Sequence, residues 1–403
     1  MTFQDLRQKY PKFIYKSFSK EVVDNNLVLK FVYQTPPDHT FVHTVTLTNL
    51  KDYKDMDNLV FNIGLSEMLS YWKATCSPIV EIQASFLDSE QIAFWHKLFI
   101  KGMGEYYYKN NIDFTPDDFV SITTASITPF NPPLNLRGGN SVLVPIGGGK
   151  DSIVTLEILK KHFDVLPMVI NPTPSMTTIA PEAVVIKRVI DPYLLKLNSQ
   201  GYLNGHIPFS SSIAFISVLV SQIMDCKYVV LSNERSSDEG NVKYLGYEIN
   251  HQYSKSLEFE TDLNKYLTDI TDIKYFSFLR SLYEMQIAKL FSKYPQYFNI
   301  FTSCNKILKK GIPWCNNCPK CVSTSLLLSP WIGKDGVIKI MGTYPPELPE
   351  NKVIMEELTG VRPIKPFECV LTRDEALGKI DMNSWLSNPN MPTEFEKILK
   401  SEI

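Results

Sequence analysis

The stretch VLVPIGGGKDSIVTLEILKK, residues 142–161, decides the fold, because it joins an apolar run, three glycines and an amphipathic segment. The apolar run at 142–146 predicts a buried strand, and the helical spacing that follows predicts a helix over 151–162. A strand that passes through glycines into a helix is typical of ligand-binding turns in parallel α/β sheets. A purely structural turn with an Asp or Ser cap has the same local pattern.

The residue types in this turn suit a phosphate group. Glycines let the backbone approach a phosphate without Cβ clashes, and free N–H groups at the start of a helix attract anions. Lys150 adds a mobile cation, Ser152 a hydroxyl donor, and Asp151 a carboxylate that can hold Mg²⁺. The predicted cofactor-binding residues are Gly147, Gly148, Gly149, Lys150, Asp151 and Ser152.

Two common phosphate motifs do not fit. A Walker A loop requires Ser or Thr after its Lys, whereas Asp151 follows Lys150, and the third glycine of a dinucleotide motif is missing. The turn resembles the S-G-G-x-D-S loop of the PP-loop, or N-type, ATP pyrophosphatases, with Gly147 in place of the first serine. This resemblance implies splitting of ATP between its α- and β-phosphates, with Mg²⁺, and adenylation of a substrate oxygen.

Composition and charge limit the class of protein. The 403 residues include 41 basic and 43 acidic side chains, so the net charge of -2 argues against a nucleic-acid partner. The amino terminus has no apolar core of a signal peptide, and the apolar stretch 212–224 is too short to span a bilayer. We therefore expect a cytoplasmic protein with a small-molecule substrate and no membrane partner.

The pattern of elements changes along the chain. Residues 12–48 predict three strands, and 59–75 and 88–109 predict helices, with a strand over 78–84 between them. The stretch 127–141 is rich in Pro and Gly and predicts a linker.

After the linker, strands and helices alternate. We expect strands over 165–171 and 228–234, and helices over 181–190 and 210–225. This alternation predicts a doubly wound parallel sheet. The predicted fold is α/β: an N-terminal α+β domain (1–135), then a PP-loop doubly wound parallel-sheet domain (136–403) with a four-cysteine zinc knot at 304–321.

Four of the seven cysteines lie close together in the sequence, with the spacing C-x10-C-x2-C-x2-C. Four thiolates suit a closed tetrahedral Zn²⁺ site, which would be structural. An iron–sulfur cluster or four free thiols are the alternatives. The predicted zinc ligands are Cys304, Cys315, Cys318 and Cys321.

Polar residues at the end of the strand at 228–234 and directly after it should lie at the edge of the sheet where ligands bind. Asn233, Glu234 and Arg235 are candidates for substrate or metal contact, with a solvated loop as the alternative. His206 is a candidate base, and a capping and packing role for it is equally compatible with its place before a helix.

Further side chains have no assigned role. Glu67 and Lys73 are typical of a solvated helix face, and Cys76 is typical of a core. Cys369 in PFECV is undecided between a catalytic and a structural role.

Five segments together resemble the UDP-N-acetylmuramoyl-L-alanyl-L-glutamate epimerases of the MurL type. They are GLSEMLSYWKATCSP (64–78), GYLNGHIPFSSSIAF (201–215), LSNERSSDEGN (231–241), CNNCPKC (315–321) and KPFECV (365–370). The resemblance implies ATP-dependent epimerisation of a terminal glutamate on a nucleotide-sugar peptide, through an acyl-adenylate. The predicted catalytic residues are Asp151, Ser152, Glu234 and His206.

Two other functions have sequence features in their favour. A PP-loop followed by four cysteines also resembles the 7-cyano-7-deazaguanine synthases, which adenylate a carboxylate and form an amide or nitrile. Lys306, Lys309 and Lys310 beside the cysteines would suit an RNA-binding module built on the zinc knot, although the acidic overall balance disfavours it.

Overall fold

The computed structural model describes residues 2–50, 56–125, 140–304, 306 and 313–403. Most of the predicted linker, residues 127–139, lies outside the described residues, and so do Lys309 and Lys310. No helix in the described ranges combines the length and apolarity needed to cross a membrane.

One ten-stranded mixed sheet forms the centre of the molecule, in the order β12-β9-β6-β7-β8-β3-β2-β1-β4-β5. Its strands are β1 (Lys12–Val23), β2 (Asn26–Thr35), β3 (His39–Leu47), β4 (Ile79–Ile82), β5 (Ser121–Thr124), β6 (Ser141–Pro145), β7 (Val165–Ile170), β8 (Val184–Val189), β9 (Cys226–Leu231) and β12 (Lys274–Ser277). A separate hairpin consists of β10 (Val242–Tyr244) and β11 (Tyr247–Ile249).

Helices occupy both halves of the chain. They are α1 (Phe3–Lys9), α2 (Asp57–Trp72), α3 (Ser89–Gly102), α4 (Gly104–Lys109), α5 (Lys150–Leu159), α6 (Pro174–Ile179), α7 (Pro192–Ser199), α8 (Phe209–Ile223), α9 (Leu257–Leu267), α10 (Glu284–Phe291), α11 (Pro319–Met341), α12 (Lys352–Leu358), α13 (Arg373–Ala376) and α14 (Thr393–Glu402). Asp88 caps α3 by accepting a hydrogen bond from the Gln91 N–H.

The half of the sheet that follows the glycine turn is parallel. β6 pairs with β7 and β9, and β7 and β9 pair in turn with β8 and β12, all in parallel. Along β6, Leu143 faces one apolar cluster together with α2 and α8, whereas Val142 and Val144 face a second cluster with α5, α10 and α11. Successive side chains of a strand point to opposite faces, so this part of the sheet is covered by helices on both sides.

The other half of the sheet is mixed. β1, β2 and β3 form an antiparallel meander, and β4 and β5 continue it in parallel beyond β1. β3 pairs with β8 in antiparallel orientation, through the register Thr44 to Val189 and Leu47 to Ile186. Strands before and after the predicted linker therefore belong to one sheet, and the division at 135/136 stays a prediction.

The predicted helix over 181–190 is wrong, because β8 (Val184–Val189) occupies this segment. Its β-branched residues suit an extended strand, and both edges of β8 are paired, one with β7 and one with β3. Tertiary pairing therefore decides the conformation of this segment.

Candidate active site

A cavity of about 360 Å³ opens at the carboxyl ends of β6, β7 and β9. Ile146, Ile170 and Ser232 line it at the ends of these three strands. Ligands in open parallel sheets bind at this edge. The predicted residues Gly147, Gly149, Lys150, Asp151, Ser152, Asn233 and Glu234 all line the same cavity.

The glycine turn has a fixed conformation. Gly148 adopts φ +83°, a left-handed conformation that favours glycine, and its carbonyl accepts a hydrogen bond from the Thr302 N–H at 3.0 Å. Gly149 is the N-cap of α5, and the Ser152 hydroxyl donates to the Gly149 carbonyl at 3.0 Å. The turn therefore brings backbone and the first N–H groups of a ten-residue helix to the cavity.

Lys150 and Glu284 form a buried ion pair in the cavity, and the ammonium also contacts the Asp151 carboxylate at 2.5 Å. Burial opposes the charge on Lys150, but the carboxylates of Asp151 and Glu284 outweigh it and raise the pKa of Lys150. Burial raises the pKa of Glu284 to about 8. The Lys150 ammonium lowers this pKa, whereas the negative charges of Asp151 and Glu234 raise it further. The ammonium of Lys150 thus lies in one site with the carboxyl groups of Asp151, Glu234 and Glu284.

Glu234 lies directly beyond β9 and is linked to Glu284 through a hydroxyl. Ser236 Oγ lies 3.2 Å from Glu234 Oε1 and 3.3 Å from Glu284 Oε1. Burial opposes ionisation of Glu234, but the ammonium groups of Lys255 and Lys150 lower its pKa. The neighbouring Asn233 donates its side-chain N–H to Ser277 Oγ at 2.9 Å.

Sequence reasoning missed several side chains that line the cavity. Lys255 belongs to no motif that the sequence revealed. Glu284 is the first residue of α10 and lies far from the glycine turn in the sequence. Lys320 and Thr324 at the start of α11 also line the cavity. The four closely spaced cysteines before and at the start of α11 predicted a metal site. Nothing in the sequence indicated that this segment would lie next to the glycine turn.

Among the residues predicted to bind the cofactor or substrate or to act in catalysis, Gly148, Arg235 and His206 are not part of the cavity lining. Arg235 donates to the Ser281 carbonyl at 2.9 Å, and its guanidinium carbon lies 4.0 Å from the centre of the Tyr283 ring. His206 Nδ1 lies 3.6 Å from a Glu105 carboxylate oxygen, and burial lowers the pKa of His206 to about 3. Their catalytic and substrate-binding roles stay predictions.

Glu67, Lys73 and Cys76, which had no assigned role, lie outside the lining of the cavity. The expectation of a solvated helix face is wrong for Glu67, which is fully buried and accepts hydrogen bonds from Arg188 Nε at 2.8 and 2.9 Å. Lys73 donates to the Gly205 carbonyl at 2.9 Å, and burial followed by the charge of Arg188 lowers its pKa to about 8. Cys76 is buried.

The four predicted zinc ligands come together at one side of the cavity. Their sulfur atoms all lie within 4.8 Å of one another, and three sulfur pairs are 3.5 to 3.8 Å apart. Zn–S bonds of about 2.3 Å in a tetrahedron place sulfurs about 3.8 Å apart, so the sulfur positions fit one ion. Cys304 also lines the cavity, which places the cysteine cluster next to the candidate active site.

Comparison with known proteins gives consistent matches along the chain. Residues 4–278 match the model of the MurL N-terminal domain, and residues 300–391 match that of the MurL C-terminal domain. A relative from Salinispora tropica is 33% identical over 389 residues, which cover 91% of this chain and 83% of the relative. A relative from a Micromonospora species is 32% identical over 392 residues, covering 91% of this chain and 85% of the relative.

A third relative, from Xanthomonas oryzae pv. oryzae, is 33% identical over 315 residues, which cover 75% of this chain and 69% of the relative. All three relatives are named UDP-N-acetyl-alpha-D-muramoyl-L-alanyl-L-glutamate epimerase. No solved structure matches the chain significantly.

Proposed function

This chain belongs to the MurL epimerase family and is an isomerase, and on that premise we propose that it inverts the terminal glutamate of UDP-N-acetylmuramoyl-L-alanyl-L-glutamate. The L-glutamate becomes D-glutamate, which yields a precursor for peptidoglycan synthesis. The observation that carries the proposal is a single cavity that joins the glycine turn, buried acid–base side chains and the cysteine cluster.

We propose ATP as the co-substrate. The Cα proton of a terminal residue is hard to remove, because the adjacent carboxylate already carries a negative charge and the carbanion would add a second. Adenylation of this carboxylate forms a mixed anhydride and releases pyrophosphate, so that loss of the proton gives a singly charged enolate. Return of a proton on the other face inverts Cα, and water then releases AMP.

The glycine turn and the start of α5 would bind the phosphates of ATP. Gly147 and Gly149 bring backbone to the cavity surface, and the partial positive charge at the start of α5 favours anions. Lys150 is held in place by its two carboxylate partners, so its ammonium is oriented before ATP binds. Asp151, whose side chain is 29% exposed, would hold Mg²⁺, which shields the charge of a leaving pyrophosphate.

We propose that the four cysteines hold zinc in a structural role. Four thiolates leave no open ligand position, so the site would join the chain around Cys304 to the start of α11, where Cys321 lies. This junction would fix the cavity wall formed by Lys320 and Thr324.

A deazaguanine-synthase-like enzyme is the second candidate, because the same cavity and cysteine cluster would serve any adenylating reaction at a carboxylate. The two candidates differ at Cα. An epimerase exchanges the Cα proton with solvent, whereas an amide or nitrile former leaves the configuration of a neighbouring carbon unchanged.

One experiment in D₂O tests the proposal. The protein is incubated with ATP, Mg²⁺ and the UDP-linked L-alanyl-L-glutamate substrate, and pyrophosphate and deuterium at the glutamate Cα are measured together. We expect both, and we expect neither with UDP-N-acetylmuramoyl-L-alanine, which lacks the glutamate. Pyrophosphate without deuterium would favour the second candidate, and the absence of both products would contradict the use of ATP on this substrate.

A further inference from the structure

Cys369 lines the cavity and lies 3.2 Å from the ammonium of Lys255, measured from Sγ to Nζ. Cys76 and Cys226, by contrast, are buried, and among the described residues they are not part of the cavity lining. Cys369 also lies outside the four-cysteine cluster. It is therefore a cavity thiol with a charged partner.

The backbone around Cys369 is fixed on both sides. On one side, the Lys365 N–H donates to the Asn241 carbonyl at 2.9 Å, and the Asn241 side chain donates back to the Pro366 carbonyl at 2.8 Å. On the other side, the Leu371 N–H donates to Ser323 Oγ at 3.1 Å. Asn241 follows Glu234 by a few residues, and Ser323 belongs to α11, so the thiol is anchored to two walls of the cavity.

Lys255 connects Cys369 electrostatically to the rest of the site. Burial opposes its charge, but Cys369 and Glu234 outweigh burial and raise the pKa of Lys255, which keeps the amine protonated at neutral pH. The Lys255 ammonium donates a hydrogen bond to the Cys369 sulfur, so it would stabilise negative charge on that sulfur during proton transfer. The carboxylates of Glu234 and Glu284 are already engaged with Ser236, and that of Glu284 also with Lys150.

We propose that Cys369 is one of the two groups that exchange a proton with the glutamate Cα, and that Lys255 is its positioning residue. This inference rests on the proposed function. In one direction the thiolate sulfur takes the Cα proton, an S–H bond forms, and the electron pair of the C–H bond enters the enolate of the acyl-adenylate. A water-exchangeable donor on the opposite face then gives its proton to Cα, and both groups return to their starting states by exchange with water.

A two-group mechanism makes an asymmetric prediction for Cys369→Ala. The substrate epimer whose proton faces the sulfur should lose Cα exchange in D₂O by at least about 100-fold, which is the lower range for a general acid–base group. The other epimer should still exchange its proton through the opposite group, without inversion. Both epimers should still give pyrophosphate, which also reports that the variant is folded.

Cys369→Ser and Cys226→Ala complete this comparison. Cys369→Ser should show the same asymmetry, because a hydroxyl at this position is a much weaker base than a thiolate. Cys226→Ala should exchange both epimers at the wild-type rate. Equal loss of exchange for both epimers, or loss of pyrophosphate in step with exchange, would overturn the role of Cys369. A wild-type protein that makes pyrophosphate without any exchange would instead contradict the proposed function.

The role of Lys255 is tested through the reactivity of the thiol. Iodoacetamide labelling of Cys369, followed by peptide mass spectrometry at pH 7, should slow at least tenfold in Lys255→Met and recover in Lys255→Arg. The same two variants should lose and regain Cα exchange while pyrophosphate release continues. An unchanged labelling rate in Lys255→Met would overturn the positioning role.

Discussion

Lys150 and Glu284 form an ion pair at the cavity whose side chains are only 4% and 5% exposed. They begin two helices, α5 and α10, that follow different strands of the parallel sheet. A buried pair of this kind fixes geometry more than it adds stability, since desolvation offsets most of the attraction. The pair therefore holds the start of α5 in place beneath the predicted phosphate site.

Removal of one partner should destabilise the protein. We expect Lys150→Met to lower the free energy of unfolding by about 1–3 kcal/mol, because the Glu284 carboxyl group, whose pKa burial already raises, would take up a proton and stay buried without its hydrogen-bonding partner. The double variant Lys150→Met/Glu284→Leu should recover most of this loss, because it leaves no unpartnered polar group at this position. Urea denaturation at pH 7 measures both, and equal stability of the single and double variants would show that the pair does not act as a unit.

A second prediction concerns the backbone of the glycine turn. Gly148→Ala should cost about 1–2 kcal/mol from the left-handed conformation, and its Cβ would lie 3.3 Å from the Met176 side chain. A turn that moves to relieve this strain no longer presents its N–H groups to phosphate, so pyrophosphate release should fall at least tenfold.

Gly246→Ala is the control variant, because it introduces the same backbone strain at a glycine outside the cavity lining. Gly246 has φ +84° in the β10–β11 hairpin, and a Cβ there meets nothing within 4 Å. We expect a similar loss of stability and wild-type pyrophosphate release. If both variants release pyrophosphate equally, the conformation of Gly148 is not required for ATP use.

The sequence predicted features that are specified within one short segment, but not those that depend on pairing between distant segments. The strand, turn and helix from residue 142 onward were predicted from the sequence, because hydrophobic spacing and glycines specify them within one short segment. The helix predicted over 181–190 failed because β8 depends on pairing with β7 and β3, and β3 is far away in the sequence. The single sheet was not foreseen for the same reason.

The candidate site shows the same division. Gly147, Lys150 and Glu234 could be placed, since each follows a parallel strand at its carboxyl end. Lys255 and Glu284 could not, because only the folded chain brings them next to the glycine turn. The sequence also does not specify the direction of a side chain. Arg235 follows the same strand as Glu234, but its guanidinium contacts the Tyr283 ring and not the cavity.

A third prediction concerns the metal. Elemental analysis of the purified protein should find one zinc per chain, and Cys318→Ser should lower this content, because Cys318 contributes one of the four closely spaced sulfurs. Cys226→Ser should retain zinc, since Cys226 lies in β9 outside the cluster. Removal of zinc by a chelator should lower the melting temperature, because metal binding contributes to folding. Iron and acid-labile sulfide in place of zinc would contradict the zinc assignment and favour an iron–sulfur cluster.

The fourth prediction is a pH dependence of stability that originates at His43. This side chain is fully buried, its Nδ1 lies 2.8 Å from the Tyr71 hydroxyl, and its Nε2 lies 3.4 Å from a Glu67 carboxylate oxygen. Burial lowers the pKa of His43 from 6.5 to about 4, although the Glu67 charge acts in the opposite direction. The unfolded chain therefore binds a proton at this histidine at a higher pH than the folded chain.

Because the unfolded chain binds this proton more readily, a decrease in pH lowers the free energy of unfolding. The contribution of His43 to stability is complete above pH 6.5, falls as the pH decreases from 6.5 to 4, and changes no further below that range. By pH 5 the loss should be about 2 kcal/mol. His43→Gln should thus lose about 2 kcal/mol less than the wild type between pH 7 and pH 5, measured by urea denaturation. His162→Gln, at an exposed histidine, should keep the wild-type dependence. If His43→Gln kept the wild-type dependence as well, another group would have to account for the acid sensitivity.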